Sequence, residues 1–380
     1  MLRRALVCLI VLIGFSLSVT YSEEKMRLAI LPFSNVSEST DFGWLSTGIP
    51  ESLTFSLSSI HNISLVERIQ LESILEEQEL SLSDLADESS AVSVGNLSGA
   101  DTLLVGSFQI TGNRVLIALR FTDVSSGEVL TDKTLRIEGE LEEIFTLYKN
   151  LSYGIIEKFQ VQITPAEIVR LEDQSEITES LKAYEYFTLG KNQYYKESEE
   201  GYEEAAGYLQ KAVAEDNEFG LAYAYLSLSY QKMALLRGQS GRGGYSEYVE
   251  KASEYIIPAR EYGEGIAQVH KILAEVLYLK GDVIQAGRDV QKSLYLNPMD
   301  VETWLIKWRI KGKGNPEHPD LLRALSLDPE SAEIHITLGK AYARKSFFPE
   351  ALFHFTKAFD RDPRNIALHY GFAEVYQDMG

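Results

Sequence analysis

The stretch that decides the fold of the carboxyl-terminal half is AEIHITLGKAYARKSFFPEALFHFTKAFDRDPRN, which runs from residue 332 to residue 365. A broad planar residue stands at position 4 of these 34 residues, small residues stand at positions 8, 20 and 27, and a proline stands at position 32: His335, Gly339, Ala351, Ala358 and Pro363. Apolar residues recur at helical spacing on both sides of Ser346. This pattern predicts a pair of helices that pack closely where the small residues meet.

The same spacing recurs upstream, which indicates an internal repeat. Residues 267–300 follow it in full register, with His270, Ala274, Ala286, Ser293 and Pro298 at the corresponding positions. Shorter, longer and partial copies keep the same order of small and apolar residues: 183–219, 220–266, 301–331 and 366–380. Together the copies resemble the tetratricopeptide repeat (TPR) family, whose stacked helix pairs bury one continuous core. The resemblance implies an all-α TPR solenoid of about five and a half repeats over residues 183–380.

The region upstream of the repeats alternates between strand and helix patterns. Short apolar runs predict five strands: 27–33, 63–66, 102–111, 114–124 and 128–138. Helical spacing predicts four helices: 44–60, 69–78, 81–100 and 141–159. Gly112-Asn113 and the Ser-Ser-Gly sequence at 125–127 separate the last three strands, as hairpin turns do. We therefore expect a mixed sheet with helices packed on it.

Five segments of this region carry a second resemblance: RLAILPF, DFGWLSTGIPESLTFSL, LVER, LSGADTLLVGSF and VLIALRFTDVSSGEVL. In this order they are similar to the family that includes the TolB amino-terminal domain and the curli-secretion protein CsgG. The resemblance implies a small α/β sandwich that mediates protein contacts and has no catalytic centre.

The expected fold class is α+β, with an amino-terminal mixed-sheet α/β sandwich followed by the all-α TPR solenoid. We expect the α/β domain to cover residues 23–164, an acidic linker to cover residues 165–182, and the repeats to cover residues 183–380. Few contacts are expected to cross such a charged linker, so the two halves should be separable.

The first 22 residues have the features of a secretory signal peptide. Arg3 and Arg4 precede an apolar run, Ala5–Leu17, that is shorter than the roughly 20 residues of a membrane span. Thr20 and Ser22 are small enough for cleavage before Glu23, and an uncleaved anchor is the alternative. The single cysteine, Cys8, lies inside the apolar run, so no lipid anchor is expected. The sequence thus predicts an exported protein that is periplasmic or associated with the outer membrane.

The composition and the histidine pattern argue against several functions. The formal net charge of −20 repels nucleic acid. Three of the six histidines, His270, His335 and His369, share position 4 of the repeat and are interpreted as packing residues. The glycine-rich stretch GQSGRGG lacks the Lys-Ser/Thr pair of a phosphate-binding loop. We therefore predict no catalytic residue, metal, cofactor or small-molecule substrate.

A candidate partner-binding groove follows from the TPR resemblance, because the first helix of each repeat lines the concave face in that family. Positions 5, 9, 12 and 13 of these helices supply Phe187, Lys191, Tyr194, Lys232, Lys271, Glu275, Tyr278, Arg309, Lys340 and Arg344. Since six of the ten are basic, the pattern predicts a groove for an acidic or extended peptide. The alternative is that these cations only solvate exposed helix faces.

The leading functional hypothesis is a noncatalytic cell-envelope adaptor that recruits protein partners through its groove and its α/β domain. One alternative is an oligomeric outer-membrane-associated assembly or secretion component of the CsgG type. Another is an enzyme whose site the sequence does not reveal. Homo-oligomerisation and peripheral association with the envelope stay open.

Overall fold

The structure is a computed structural model that describes residues 25–66, 68–78, 88–174, 177–241, 243–363 and 365–379. The expected signal peptide, residues 1–22, lies outside the described residues. Within them, a mixed sheet with helices precedes a helical array, which confirms the predicted fold class.

Six strands of the described residues form one sheet: β1 (Met26–Ile30), β2 (Ser34–Asn35), β3 (Ile63–Leu65), β4 (Thr102–Thr111), β5 (Arg114–Asp123) and β6 (Leu135–Glu140). The order along the sheet is β3-β1-β4-β5-β6, and β2 pairs with β4 outside this path. β1 is parallel to β3 and β4, whereas β5 is antiparallel to β4 and β6. Gly112 has a φ of +61° in the predicted turn between β4 and β5, a conformation that glycine adopts readily.

Helices cover both faces of this sheet. They are α1 (Leu45–Leu57), α2 (Arg68–Glu77), α3 (Glu88–Ser98) and α4 (Ile144–Lys158). Successive residues of a strand point to opposite faces. Leu28 accordingly packs in the core that contains α1 and α4, whereas Ala29 packs in the core that contains α2 and α3.

Helix α1 is tied to the sheet through an internal proline. Pro50 cannot donate the hydrogen bond that the Ser46 carbonyl would otherwise accept within the helix. The backbone N–H of Phe33, which follows β1, donates to this carbonyl at 2.8 Å. The Phe33 ring lies over Gly106 of β4, where an added Cβ would come within 2.3 Å of the ring. The proline and the glycine therefore both position α1 against the sheet.

The last predicted strand, 128–138, is wrong in its position because the chain bends before it pairs. Val129 forms only an isolated bridge with Thr122, and a 3₁₀ turn follows at Thr131–Lys133. Regular pairing with β5 starts at Leu135 and ends at Glu140.

Part of the expected acidic linker is helix α5 (Pro165–Gln174), which packs on the α/β domain. The buried Glu167 carboxylate accepts hydrogen bonds from the backbone N–H groups of His61 and Thr164 at 2.6 and 2.7 Å. Burial acts to raise the pKa of Glu167, but these hydrogen bonds outweigh it and hold the pKa below its ordinary value. Leu171 is buried in the core that contains α1. The segment is therefore anchored through its acidic residue.

The array after α5 contains twelve helices in the described residues. They are α6 (Leu181–Tyr194), α7 (Glu199–Glu215), α8 (Gly220–Gln239), α9 (Tyr245–Glu254), α10 (Ile256–Tyr262), α11 (Ala267–Lys280), α12 (Val283–Leu296), α13 (Val301–Lys311), α14 (Pro319–Leu327), α15 (Ala332–Ala343), α16 (Phe348–Arg361) and α17 (Ile366–Met379). The first helices of successive repeats are α6, α8, α11, α13, α15 and α17. Helices α9 and α10 together form the second helix of the second repeat.

In the third to sixth repeats, the planar residue at position 4 bonds its helix to the preceding loop. A ring nitrogen of His270, Trp304, His335 and His369 lies 2.7 to 3.1 Å from the backbone carbonyl six residues earlier. A carbonyl only accepts, so the ring N–H must be the donor in each case. The predicted packing role of the three histidines therefore includes a hydrogen bond that ties the loop to the helix.

The two halves pack together, so the expectation of few contacts between them is wrong. Buried residues of α1, α4, α6 and α8 belong to one core cluster. The rings of Trp44 and Tyr184 have centroids 5.9 Å apart, and the Tyr184 hydroxyl donates to the Gly48 carbonyl at 2.8 Å. The first repeat and the α/β domain thus share apolar and polar contacts.

Contacts continue along the loops that join successive repeats. Asn297, after α12, donates from Nδ2 to the Ser58 carbonyl at 3.3 Å. Arg27 Nη1 lies 2.9 Å from Asp328 Oδ1, after α14. Gly99 lies beside the side chain of Arg361 at the end of α16, where an added Cβ would come within 3.2 Å of Nη1. The α/β domain therefore lies along this edge of the array as far as the fifth repeat.

Candidate protein-interaction face of the helical array

The inner face of the array is defined here by positions 2, 5, 9, 12 and 13 of the first helices, which contain all ten predicted groove residues. The structure divides these residues among three environments: a covered amino-terminal end, an ion-paired middle and an unpaired carboxyl-terminal end.

The covered end lies at the first repeat, where the α/β domain packs on α6. Lys191 is 1% exposed, and its ammonium group is paired with the Glu51 carboxylate of α1. Its Nζ also lies 4.6 Å from the centroid of the Tyr225 ring and 5.7 Å from that of the Phe187 ring. Lys191 thus binds a carboxylate of the same chain and is buried under the α/β domain.

Arg68 of α2 completes this buried ion cluster. Its guanidinium donates to Glu72 at 2.7 Å and to Asn192 Oδ1 at 2.7 Å, and it lies 3.4 Å from Glu51. Burial acts to raise the pKa of Glu51, but the charges of Lys191 and Arg68 outweigh it and lower the pKa. The cluster therefore holds Glu51 ionised between the two halves.

Phe187 and Tyr194 also belong to this covered end. Phe187 is fully buried, and Tyr194 packs against Tyr202 and Tyr225 with ring centroids 5.2 and 5.7 Å away. Burial raises the pKa of the Tyr194 hydroxyl. Phe187, Lys191 and Tyr194 are consequently part of the packed interior of the first two repeats.

The middle of the inner face carries a ladder of ion pairs between neighbouring repeats. Lys232 of α8 binds Glu275 of α11 at 2.7 Å. Lys271 of α11 binds Glu302 of α13, and Arg309 of α13 binds Glu333 of α15 at 3.0 Å. Tyr278 lies half-buried on the same face of α11. Each predicted cation in this region is therefore neutralised by a carboxylate of an adjacent helix.

Glu302 and Glu333 are not among the predicted groove residues. Both occupy position 2 of a first helix, whereas the predicted groove uses positions 5, 9, 12 and 13. Burial and the nearby Glu302 carboxylate raise the pKa of Glu333. The side chains thus do not form a basic groove over the whole inner face.

Lys340 and Arg344 lie at the carboxyl-terminal end, on α15 and directly after it. Lys340 is half-buried and Arg344 is exposed. Neither forms an ion pair with any residue that the structure describes, in contrast to the other four predicted cations. Tyr370 is not among the predicted groove residues. It occupies position 5 of α17, the first helix of the partial repeat, and is 69% exposed.

The described residues contain no group of three or more His, Cys, Asp or Glu residues placed to hold a metal ion. None of the helices in the described ranges has the length and apolar character needed to cross a membrane.

A family model and a known protein are similar to parts of this sequence. A family model described as "Curli production assembly/transport component CsgG" matches residues 16–113. The protein named "Putative adenylate cyclase 3" of Rhizobium meliloti (strain 1021) is 24% identical over 156 residues, which are 40% of this chain and 24% of that protein. This chain therefore spans about a quarter of the length of that relative.

Solved structures are similar to parts of the chain. The LpoB C-terminal domain from Salmonella enterica is 19% identical with a TM-score of 0.26, and the match covers 31% of this chain and 84% of that domain. A thermophilic TPR protein of Thermus thermophilus is 19% identical with a TM-score of 0.43, and the match covers 51% of this chain and 99% of that protein. Both resemblances seen in the sequence are confirmed: a CsgG family model matches residues 16–113, and the helical array has the successive helix pairs that the repeat pattern predicts.

Proposed function

We propose that this chain is a noncatalytic scaffold of the bacterial cell envelope, which holds an α/β domain and a protein-binding repeat array as one unit. The observation that carries the proposal is the packed junction between them. Glu51, Arg68 and Lys191 form a buried ion cluster there, and the surrounding apolar residues belong to one core. A protein bound by the array would therefore be held in a defined position relative to the α/β domain.

The envelope location is supported by the family-model match and by the signal-like first 22 residues. On this proposal the protein is exported and is periplasmic or associated with the outer membrane, without a lipid anchor. The noncatalytic role is supported by the position-4 histidines, each of which has its Nε2 engaged with a loop carbonyl.

The partner on this proposal is a protein or an acidic peptide. The helical array supports this class, since TPR arrays present extended surfaces to other polypeptides. A second candidate is an oligomeric assembly component of the CsgG type, which the family-model match favours. Mass measurement of the purified full chain separates the two, because a stable ring would support the second candidate.

Site-directed photo-crosslinking in the native host tests the proposal. A photoreactive residue replaces Arg344 on the inner face in one variant and Tyr295, which is 81% exposed on α12, in a matched control. We expect the Arg344 variant to form a discrete adduct with another protein in the envelope fraction and the Tyr295 variant to form little of it. A chain found in the cytosol with its first residues intact, or equal adducts from both positions, would contradict the proposal.

A further inference from the structure

Strand β6 lies at an end of the sheet, where the described residues pair it with β5 alone. It is six residues long, whereas β3 at the opposite end has three. Leu141 donates to the Asn113 carbonyl at 2.7 Å, in register with the β5–β6 ladder. Because the direction of hydrogen bonding alternates along an antiparallel pair, the odd-numbered residues of β6 bond to β5. The backbone N–H and C=O groups of Arg136, Glu138 and Glu140 therefore point away from the sheet.

This outer edge of β6 is open in the part of the chain that the structure describes. There, the backbone N–H groups of Arg136 and Glu138 have no acceptor. The hydrogen bonds and ion pairs that join the helical array to the α/β domain involve α1, α2, β1 and the residues directly beside them. Helix α4 packs on the face to which Leu135 and Gly139 point, whereas the side chains of Arg136 and Glu138 point to the opposite face and are exposed. An open strand edge of this kind is a template for another strand.

The charges on this edge are complementary to those of a second copy of the same strand. In a two-fold antiparallel pair centred on Ile137, Arg136 of each copy lies opposite Glu138 of the other, so two attractive charge pairs form. Centring the pair on Glu138 keeps two such pairs, between Arg136 and Glu140, but adds a repulsive contact between the two copies of Glu138. Centring it on Arg136 places the two arginines opposite each other. Since like charges opposite each other destabilise a strand pair, the charges favour the register centred on Ile137.

We infer that two copies of this chain pair through β6 as a two-fold dimer, in which one sheet extends across both copies. The pairing satisfies the outward backbone groups of both strands and brings the two attractive charge pairs together. A two-fold contact uses the same edge of each copy, so it closes after two chains, in contrast to a ring. The inference goes beyond the proposed scaffold function, because the dimer would carry two helical arrays.

Charge reversal on the edge tests this pairing. In Arg136→Glu two repulsive pairs replace the two attractive ones, and Glu138→Arg has the same effect with the opposite sign. Sedimentation velocity of the purified full chain, at low salt and over a range of protein concentrations, measures the monomer–dimer equilibrium. We expect the wild type to form dimers and either variant to dimerise at least about tenfold more weakly. The control Arg288→Glu makes the same change in net charge at an exposed position of α12 and should dimerise as the wild type does.

An equimolar mixture of Arg136→Glu and Glu138→Arg separates lost pairing from lost folding. Glu138 also lies 3.4 Å from Arg114 of β5, so the single variant Glu138→Arg disturbs a contact within its own chain. In the mixture one copy carries two glutamates and the other carries two arginines at positions 136 and 138, so both opposing pairs are again attractive. We expect the mixture to regain dimers that neither variant forms alone.

Amide hydrogen exchange gives a second readout, because pairing should slow the exchange of residues 135–140 as the protein concentration rises. A wild-type chain that stays monomeric or assembles into a larger ring would overturn the inference. A mixture that stays monomeric, or dimers formed without protection of residues 135–140, would overturn it as well. A monomeric chain that still forms the Arg344 adduct would leave the scaffold function standing while the dimer fails.

Discussion

Replacing Glu51 with glutamine perturbs the buried cluster that joins the two halves. The change keeps the side-chain volume and one acceptor oxygen, but it removes the negative charge that is paired with the Lys191 ammonium, which is 1% exposed. Removing one partner of a buried ion pair costs about 3–5 kcal/mol. The cation–π contact with Tyr225 offsets about 1 kcal/mol of this cost. We therefore expect Glu51→Gln to lower the free energy of unfolding by about 2–4 kcal/mol.

Replacing Lys191 should destabilise the fold less than replacing Glu51, because Glu51 has a second cationic partner, Arg68. In Lys191→Met, Glu51 keeps Arg68 at 3.4 Å, and the methionine fills the space between the Phe187 and Tyr225 rings. We expect Lys191→Met to lower the free energy of unfolding by about 1–2 kcal/mol. The double variant should lose less free energy of unfolding than the two single variants lose together, because removing both charges leaves neither of them without its partner.

Urea unfolding of the full chain, followed by circular dichroism and tryptophan fluorescence, measures these differences. Trp44 is buried 5.9 Å from the Tyr184 ring and reports on the junction. Because the pKa of Glu51 is lowered, its contribution is present above its unfolded value of 4.5 and is lost as the pH falls through the folded value, so the two curves should converge in acid. A Glu51→Gln variant within about 0.5 kcal/mol of the wild type, or strict additivity in the cycle, would refute the reasoning.

Three other changes test separate parts of the structure. Burial and the neighbouring His335 lower the pKa of His354 to about 4, so the unfolded state binds the proton first as the pH falls below about 6.5. For this half-exposed group we expect the free energy of unfolding to fall by about 1–2 kcal/mol between pH 7 and 5. The fall should be smaller in His354→Phe, and urea titration measures both. Glu167→Gln should lower the thermal midpoint of the full chain by removing a charged acceptor worth about 1.5–3 kcal/mol, and an unchanged midpoint would count against the anchoring role of α5. Trp304→Phe keeps the ring but removes the N–H that donates to the Pro298 carbonyl at 2.9 Å, so it should cost about 1 kcal/mol in the same assay, whereas no cost would show that this bond adds nothing to packing.

The repeat half could be predicted from the sequence because its signal is local and recurs. Gly339 illustrates this: an added Cβ there would come within 2.4 Å of the Phe355 ring, so the small residue at position 8 is required by the helix that follows it in the same repeat. Similar constraints recur from one repeat to the next. The last helix of the described residues, α17, is predicted on the same basis and is confirmed.

Contacts between distant segments could not be predicted in this way. In the sequence, Glu167 and Glu51 resemble solvated acids, since acidic residues are frequent in this chain. Their partners are the backbone of His61 and the side chain of Lys191, which lie 106 and 140 residues away in the sequence. No periodicity records such pairings, and for this reason the acidic stretch resembles a linker although part of it is an anchored helix.

The groove prediction depends both on local repeat positions and on contacts between distant segments. Position rules correctly place Lys271 and Arg309 on the face where successive repeats meet, but they do not show that Glu302 and Glu333 bind them. The charge of a surface depends on which ion pairs are closed as well as on how many cations it contains. Lys271 and Arg309 are available to a partner only if it displaces Glu302 and Glu333, so a count of cations on the first helices does not identify a binding surface.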